Sequence, residues 1–145
     1  MKGATMTWMT MTCTRVFLVK GAYNIVLSVT FLLWADEILP WLGAPAGNPV
    51  YVELFLTLCL AFGVGYVLVG LEIDKNHGLV AIGILGQAGL FTVVAWQWMK
   101  GNVYAMALPS GVIDLAFAVA FARFLWCYAY APGRYRAPEA FRDAA

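Results

Sequence analysis

The chain has 145 residues, 63% of them hydrophobic and 12% charged, with a formal net charge of +1. Soluble domains run at roughly 45–50% apolar and about 25% charged, so a water-soluble fold could not hide this much apolar surface. A near-neutral chain with neither a basic patch interleaved with aromatics nor an acidic tail gives no reason to expect nucleic acid as a partner.

No linker, low-complexity tract or long charge run divides the sequence, so residues 1–145 are expected to form a single domain. The first fifteen residues, ending at Arg15, are too polar for the core of a signal peptide, and the apolar stretch that follows lacks a small-x-small cleavage site. The first hydrophobic segment is therefore expected to be retained. A hydrocarbon core about 30 Å thick needs about 20 predominantly apolar helical residues. Four stretches meet or approach that length: 16–38, 50–71, 79–99 and 103–128.

In the first span Lys20, Gly21, Asn24, Ser28 and Ala35 share one side of the helix, with Val26, Val29 and Leu33 on the other. The run from Leu39 to Pro49 holds three prolines and two glycines and reads as a structured loop. The second span contains Gly63-Val64-Gly65, a signal of close helix packing. A polar turn, Asp74-Lys75-Asn76-His77-Gly78, follows. His77, the only histidine, reads there as a solvated turn residue without a second imidazole to share a metal. The third span is free of charge, carries Gln87 and spaces Gly83, Gly86 and Gly89 at steps of three, which drift around the helix. After the turn Lys100-Gly101-Asn102, the fourth span sets Ala107, Ser110, Gly111, Asp114, Ala118 and Ala122 on one stripe. Leu108, Val112, Leu115, Val119 and Trp126 lie opposite.

Lysine and arginine counts orient the spans. With the N-terminus inside, Lys2, Arg15, Lys20, Lys75, Arg123, Arg134, Arg136 and Arg142 lie on the cytoplasmic side and only Lys100 lies outside. The expected architecture is all-α, an integral membrane four-helix bundle with both termini cytoplasmic.

At 1.5 Å per residue, Asn24 and Gln87 lie about 12 Å deep, and Ser28 and Asp114 about 18 Å. Asn24, Ser28, Gln87 and Asp114 thus form a candidate midplane cluster. An ionisable group at that depth costs roughly 2.5 kcal/mol or more and marks a functional site by default, although a protonated aspartate bonded to Ser28 or Asn24 would serve equally as helix glue. By the same count Lys20 lies about 12 Å nearer the cytoplasm than Asp114, so no direct ion pair is expected. Asp36, Glu37 and Glu53 could form an acidic outer rim, but interface carboxylates usually face water. Cys13, Cys59 and Cys127 are widely spaced and read as small apolar residues. No metal site, and no nucleophile–base or paired-carboxylate arrangement, is legible.

Four segments, together with Asp114 in the fourth span, resemble DoxX-like bacterial four-helix membrane proteins. They are G-A-Y-N-I-V-L from Gly21, I-L-P-W-L-G-A-P from Ile38, G-V-G-Y from Gly63 and I-G-I-L-G-Q from Ile82. The likeness covers the stretch from Phe17 to Leu125. It departs from the pattern at Gln87, where such proteins often carry lysine, and at Ile113, where they carry asparagine. The resemblance implies a multi-pass protein of the bacterial cytoplasmic (inner) membrane and assigns no cofactor. Three functional expectations follow. The first is a non-enzymatic accessory or assembly subunit, with the lipid bilayer and a protein partner or second copy around it. The second is a transporter or lipophile-binding protein using the Asp114 cluster. The third, from the DoxX-like layout, is a redox or quinone-associated membrane protein.

Overall fold

A computed structural model describes residues 2–43 and 47–129, with residues 2–11 and Ala129 by backbone alone. The loop residues Ala44, Pro45 and Ala46, and Arg134, Arg136 and Arg142 of the charge count, lie outside the described residues. The described chain is all-helical: α1 (Lys2–Trp41), α2 (Pro49–Leu71), α3 (His77–Met99), a single 3-10 turn (Ala105–Ala107) and α4 (Leu108–Ala129). Each of the four helices holds a segment long and apolar enough to cross a membrane, namely Thr12–Trp41, Pro49–Leu71, His77–Met99 and Ala105–Tyr128.

The helix ends follow from local chemistry. Asn48 caps α2, its side-chain oxygen accepting from the Val50 N–H at 3.0 Å, with Pro49 in the first turn where its missing donor costs nothing. Gly101, at φ +73°, closes α3: its N–H donates to Trp98 O and the Asn102 N–H to Gln97 O, each at 2.9 Å, the paired bonds of a Schellman cap.

Two boundaries differ from expectation. Helix α1 begins at Lys2, well before residue 16, and runs on through Pro40 to Trp41, where a loop was expected from Leu39. Pro40 has no N–H to return to the fourth carbonyl before it, so only the last turn is affected. Gly43, at φ +69°, then ends the helix by donating to Pro40 O at 3.0 Å. Farther up, α1 is broken at Trp34 (φ −135°, ψ 29°). The second difference is at the polar turn, which ends at Asn76 in a left-handed conformation, so that His77 and Gly78 already belong to α3.

Packing is uneven. Helix α1 lies mainly on α2, and α3 mainly on α4, while the seam between these two pairs is much sparser. Small residues let the first pair approach closely. A Cβ on Gly21 would lie 2.6 Å from Val67 Cγ2 and 2.8 Å from Gly63 O, and one on Gly70 would meet Leu18 at 3.0 Å. Gly83 plays the same part across the seam by receiving the Tyr66 ring. Gly86 and Gly89, by contrast, have nothing within reach of an added Cβ.

Two contacts close the seam at its ends. Near the α2–α3 turn, Phe17, Tyr66, Val69, Val80, Phe121 and Phe124 form a buried cluster to which all four helices contribute. Phe17 and Phe121 stack at 4.5 Å between ring centroids, and Tyr66 meets Phe121 edge-on at 5.1 Å. At the opposite end the Tyr104 N–H donates to Leu42 O at 3.0 Å and its ring lies under Gly43. Val26, Val29, Leu33, Val112, Val119 and Trp126 face outward, as their stripes require, whereas Leu108 and Leu115 of the same stripe are only partly exposed. The inward stripe of α4 is centred on Gly111, Ala118 and Phe121, which leaves Ser110 and Ala122 exposed rather than facing protein.

The glycine environments separate two outcomes. Gly21→Leu forces the α1–α2 crossing apart and should cost at least the 1–3 kcal/mol typical of overpacking, about the lower bound of what a thermal midpoint in detergent resolves. Gly86→Ala meets open space, and the same midpoint should not fall.

Candidate functional site

The site sits in the seam. Lys20 follows Phe17 by one helical turn, so the same inward face that builds the aromatic cluster carries a lysine into the bundle. There its Nζ donates to Asp114 Oδ1 on α4. Lys20 is 1% exposed and the Asp114 side chain 14%. The ammonium also lies over two rings, 4.8 Å from the centroid of Tyr23 and 5.1 Å from that of Phe117. Its charge is thus met by a carboxylate and two negative ring faces.

The ion pair corrects the depth estimate that set these residues apart. Helix α1 extends back to Lys2, so a helix start at residue 16 does not set the depth of Lys20.

On the other side of the seam Gln87 of α3, buried, donates from Nε2 to the Tyr66 hydroxyl of α2 at 3.1 Å. Its Oε1 has no partner among the described residues, nor has the hydroxyl of the fully buried Ser28. With one partner for a two-ended amide, either orientation of Gln87 leaves one end unpaired. Phe117 and Phe121, 6.3 Å apart, and Phe121 against Tyr66 connect the two polar pairs into one layer. Each helix contributes one polar group to it: Lys20, Tyr66, Gln87 and Asp114.

Of the four residues singled out from the sequence, Ser28 and Gln87 are buried and Asn24 and Asp114 partly so. Asn24 packs against Gly63 at the α1–α2 crossing. No hydrogen bond joins any two of the four among the described residues: the partner of Asp114 is Lys20, and that of Gln87 is Tyr66. Sequence reasoning placed Lys20 on the inward stripe but missed its pairing, and missed Tyr66 altogether. The available signal for Tyr66 was its place between Gly63 and Gly70 on the packed face of α2.

His77 also differs from expectation. As the first residue of α3 it turns inward, half-buried, with its ring 4.1 Å from Tyr128 and 5.8 Å from Phe124, and its Nε2 3.3 Å from Ile73 O. Among the described residues no three His, Cys, Asp or Glu side chains are grouped to hold a metal. Cys13, Cys59 and Cys127 are half-buried free thiols.

Breaking one half of a buried pair leaves the other charge uncompensated. Lys20→Met should therefore destabilise by about 3–5 kcal/mol, whereas Lys20→Met/Asp114→Leu should recover most of that loss in a double-mutant cycle. Tyr66→Phe, which removes the one hydrogen-bond partner Gln87 has among the described residues, should cost about 1 kcal/mol in the same assay. In comparisons with known proteins, no family model matches the chain, and no curated protein or solved structure matches it.

Proposed function

We propose that this chain is a four-span integral membrane protein of the bacterial cytoplasmic membrane, both termini cytoplasmic, whose seam layer binds or carries a small lipophile bearing a polar group. Insertion is supported by the four apolar helices and by an exterior of large apolar side chains, Leu85 being 75% exposed. The eight-to-one split of Lys and Arg supports the orientation, and the DoxX-like resemblance supports the compartment.

The observation that carries the binding reading is the buried Lys20–Asp114 pair. Buried ion pairs contribute little net stability, and apolar side chains of similar volume often do better. Inside a membrane such groups mark ligand and ion pathways. Two buried polar atoms without partners among the described residues, on Ser28 and Gln87, extend the capacity for hydrogen bonding beyond what the fold itself uses.

A second reading, an accessory subunit of a larger membrane complex, is favoured by Gly86 and Gly89 of α3. Both face open space and would let a helix of another protein approach closely.

Extraction in mild detergent, followed by mass spectrometry of proteins and of lipophilic small molecules, separates the two. The binding reading expects the protein alone or as a homodimer with a defined lipophile whose recovery falls in Lys20→Met/Asp114→Leu. A stoichiometric larger complex without such a lipophile favours the accessory reading. Reporter fusions at the two ends should both read as cytoplasmic, while a cysteine placed at Lys100 should be labelled from outside; the opposite pattern would reverse the orientation.

A further inference from the structure

The three cysteines lie far apart in sequence, yet the fold brings two of them to one place. Helices α1 and α4 run antiparallel. Phe17 meets Phe121 and Phe124, at 4.5 and 5.1 Å between ring centroids, and one turn farther along α1 Lys20 meets Phe117 and Asp114, which come earlier on α4. One turn the other way, the same register sets Cys13 opposite Cys127. Three further observations agree. Cys13 packs against the buried aromatic cluster that holds Phe121 and Phe124. It lies within electrostatic reach of the Cys127 thiol and the Arg123 guanidinium. Each cysteine stands next to the end of its span, at Thr12 and at Tyr128, so both lie at one edge of the apolar band.

We propose that Cys13 and Cys127 are a dithiol site, oxidised by a hydroperoxide to an intramolecular disulfide that ties α1 to α4. The site stands independently of the lipophile-binding reading. Both thiols are free and half-buried between helices. A disulfide carried by a folded protein could not enter there, whereas a small uncharged peroxide can. One thiolate attacks a peroxide oxygen, the O–O bond breaks, the departing oxygen leaves with a proton as an alcohol or water, and a sulfenic acid forms. The second thiolate attacks that sulfur, the S–O bond breaks and water leaves. Two thiols and one hydroperoxide thus give one disulfide, one alcohol or water from the peroxide, and one further water. Because α1 and α4 otherwise touch little, the bridge would fasten the seam at this end.

The test exposes reduced full-length protein in phosphatidylcholine vesicles to hydrogen peroxide, or to phosphatidylcholine hydroperoxide within the bilayer, and then maps it by maleimide labelling and mass spectrometry. Labelling of Cys13 and Cys127 should fall together, by at least about tenfold, as one bridged peptide pair appears within a single chain. Cys59, which lies near Lys20 and Asp114 instead, should keep its label. Closure by either peroxide supports the site, and the faster of the two identifies the source. In Cys127→Ser the remaining thiol should be recovered as a sulfenic acid trapped by dimedone, and Cys59→Ser should bridge like the wild type.

Copper phenanthroline separates the geometry from the chemistry. If it closes no bridge, or closes bridges only between chains, the pairing is overturned. If it closes the Cys13–Cys127 bridge but neither peroxide does, the hydroperoxide chemistry is overturned. Equal loss of label at Cys59 would show indiscriminate oxidation and overturn the site.

Discussion

The Lys20–Asp114 pair is the constraint around which the bundle is organised. Each residue alone would be a charge desolvated among phenylalanines, and each is tolerable only because the other arrives at the same depth from a different helix. That requirement fixes the register of α1 against α4, two helices that otherwise touch little. It also explains why the aromatic cluster lies immediately beside it: Phe17 and Phe121 lock the same two helices one turn away, so the charges meet on a pre-positioned frame.

The two helix pairs answer to a different force. At a close helix crossing, van der Waals contact between backbones makes glycine more useful than leucine. Gly21 against Gly63, and Gly70 against Leu18, bring α1 and α2 close, with Asn24 packed against Gly63 at the same crossing. The looser seam has room for a lysine, a glutamine and a tyrosine.

Much of this was legible in the sequence. Four apolar helices, their turns and the outward stripes follow from composition and periodicity, because each helix is long, apolar and bounded by Gly, Pro or polar turns. Polar residues on the inward stripes of the first, third and fourth spans were equally readable. What could not be read was how the helices slide past one another. Helix α1 takes in the polar residues before 16 and begins at Lys2, so its start does not measure the depth of Lys20, which meets Asp114 rather than standing apart from it. The inward turn of His77 was hidden for a like reason: only the start of α3 at that residue brings the ring onto Tyr128.

The seam is also where the fold leaves interactions unfinished. A layer serving packing alone would pair every group it buries, because an unpaired polar atom costs about 1–3 kcal/mol. Here the Lys20–Asp114 pair is complete, whereas Gln87 is satisfied at one end only and Ser28 has no partner among the described residues. The seam thus carries a complete charge pair beside spare hydrogen-bonding capacity. Small apolar side chains at Ser28 and Gln87 would close the bundle without that cost. Keeping polar groups there is consistent with a layer whose hydrogen bonds are incomplete until a ligand enters.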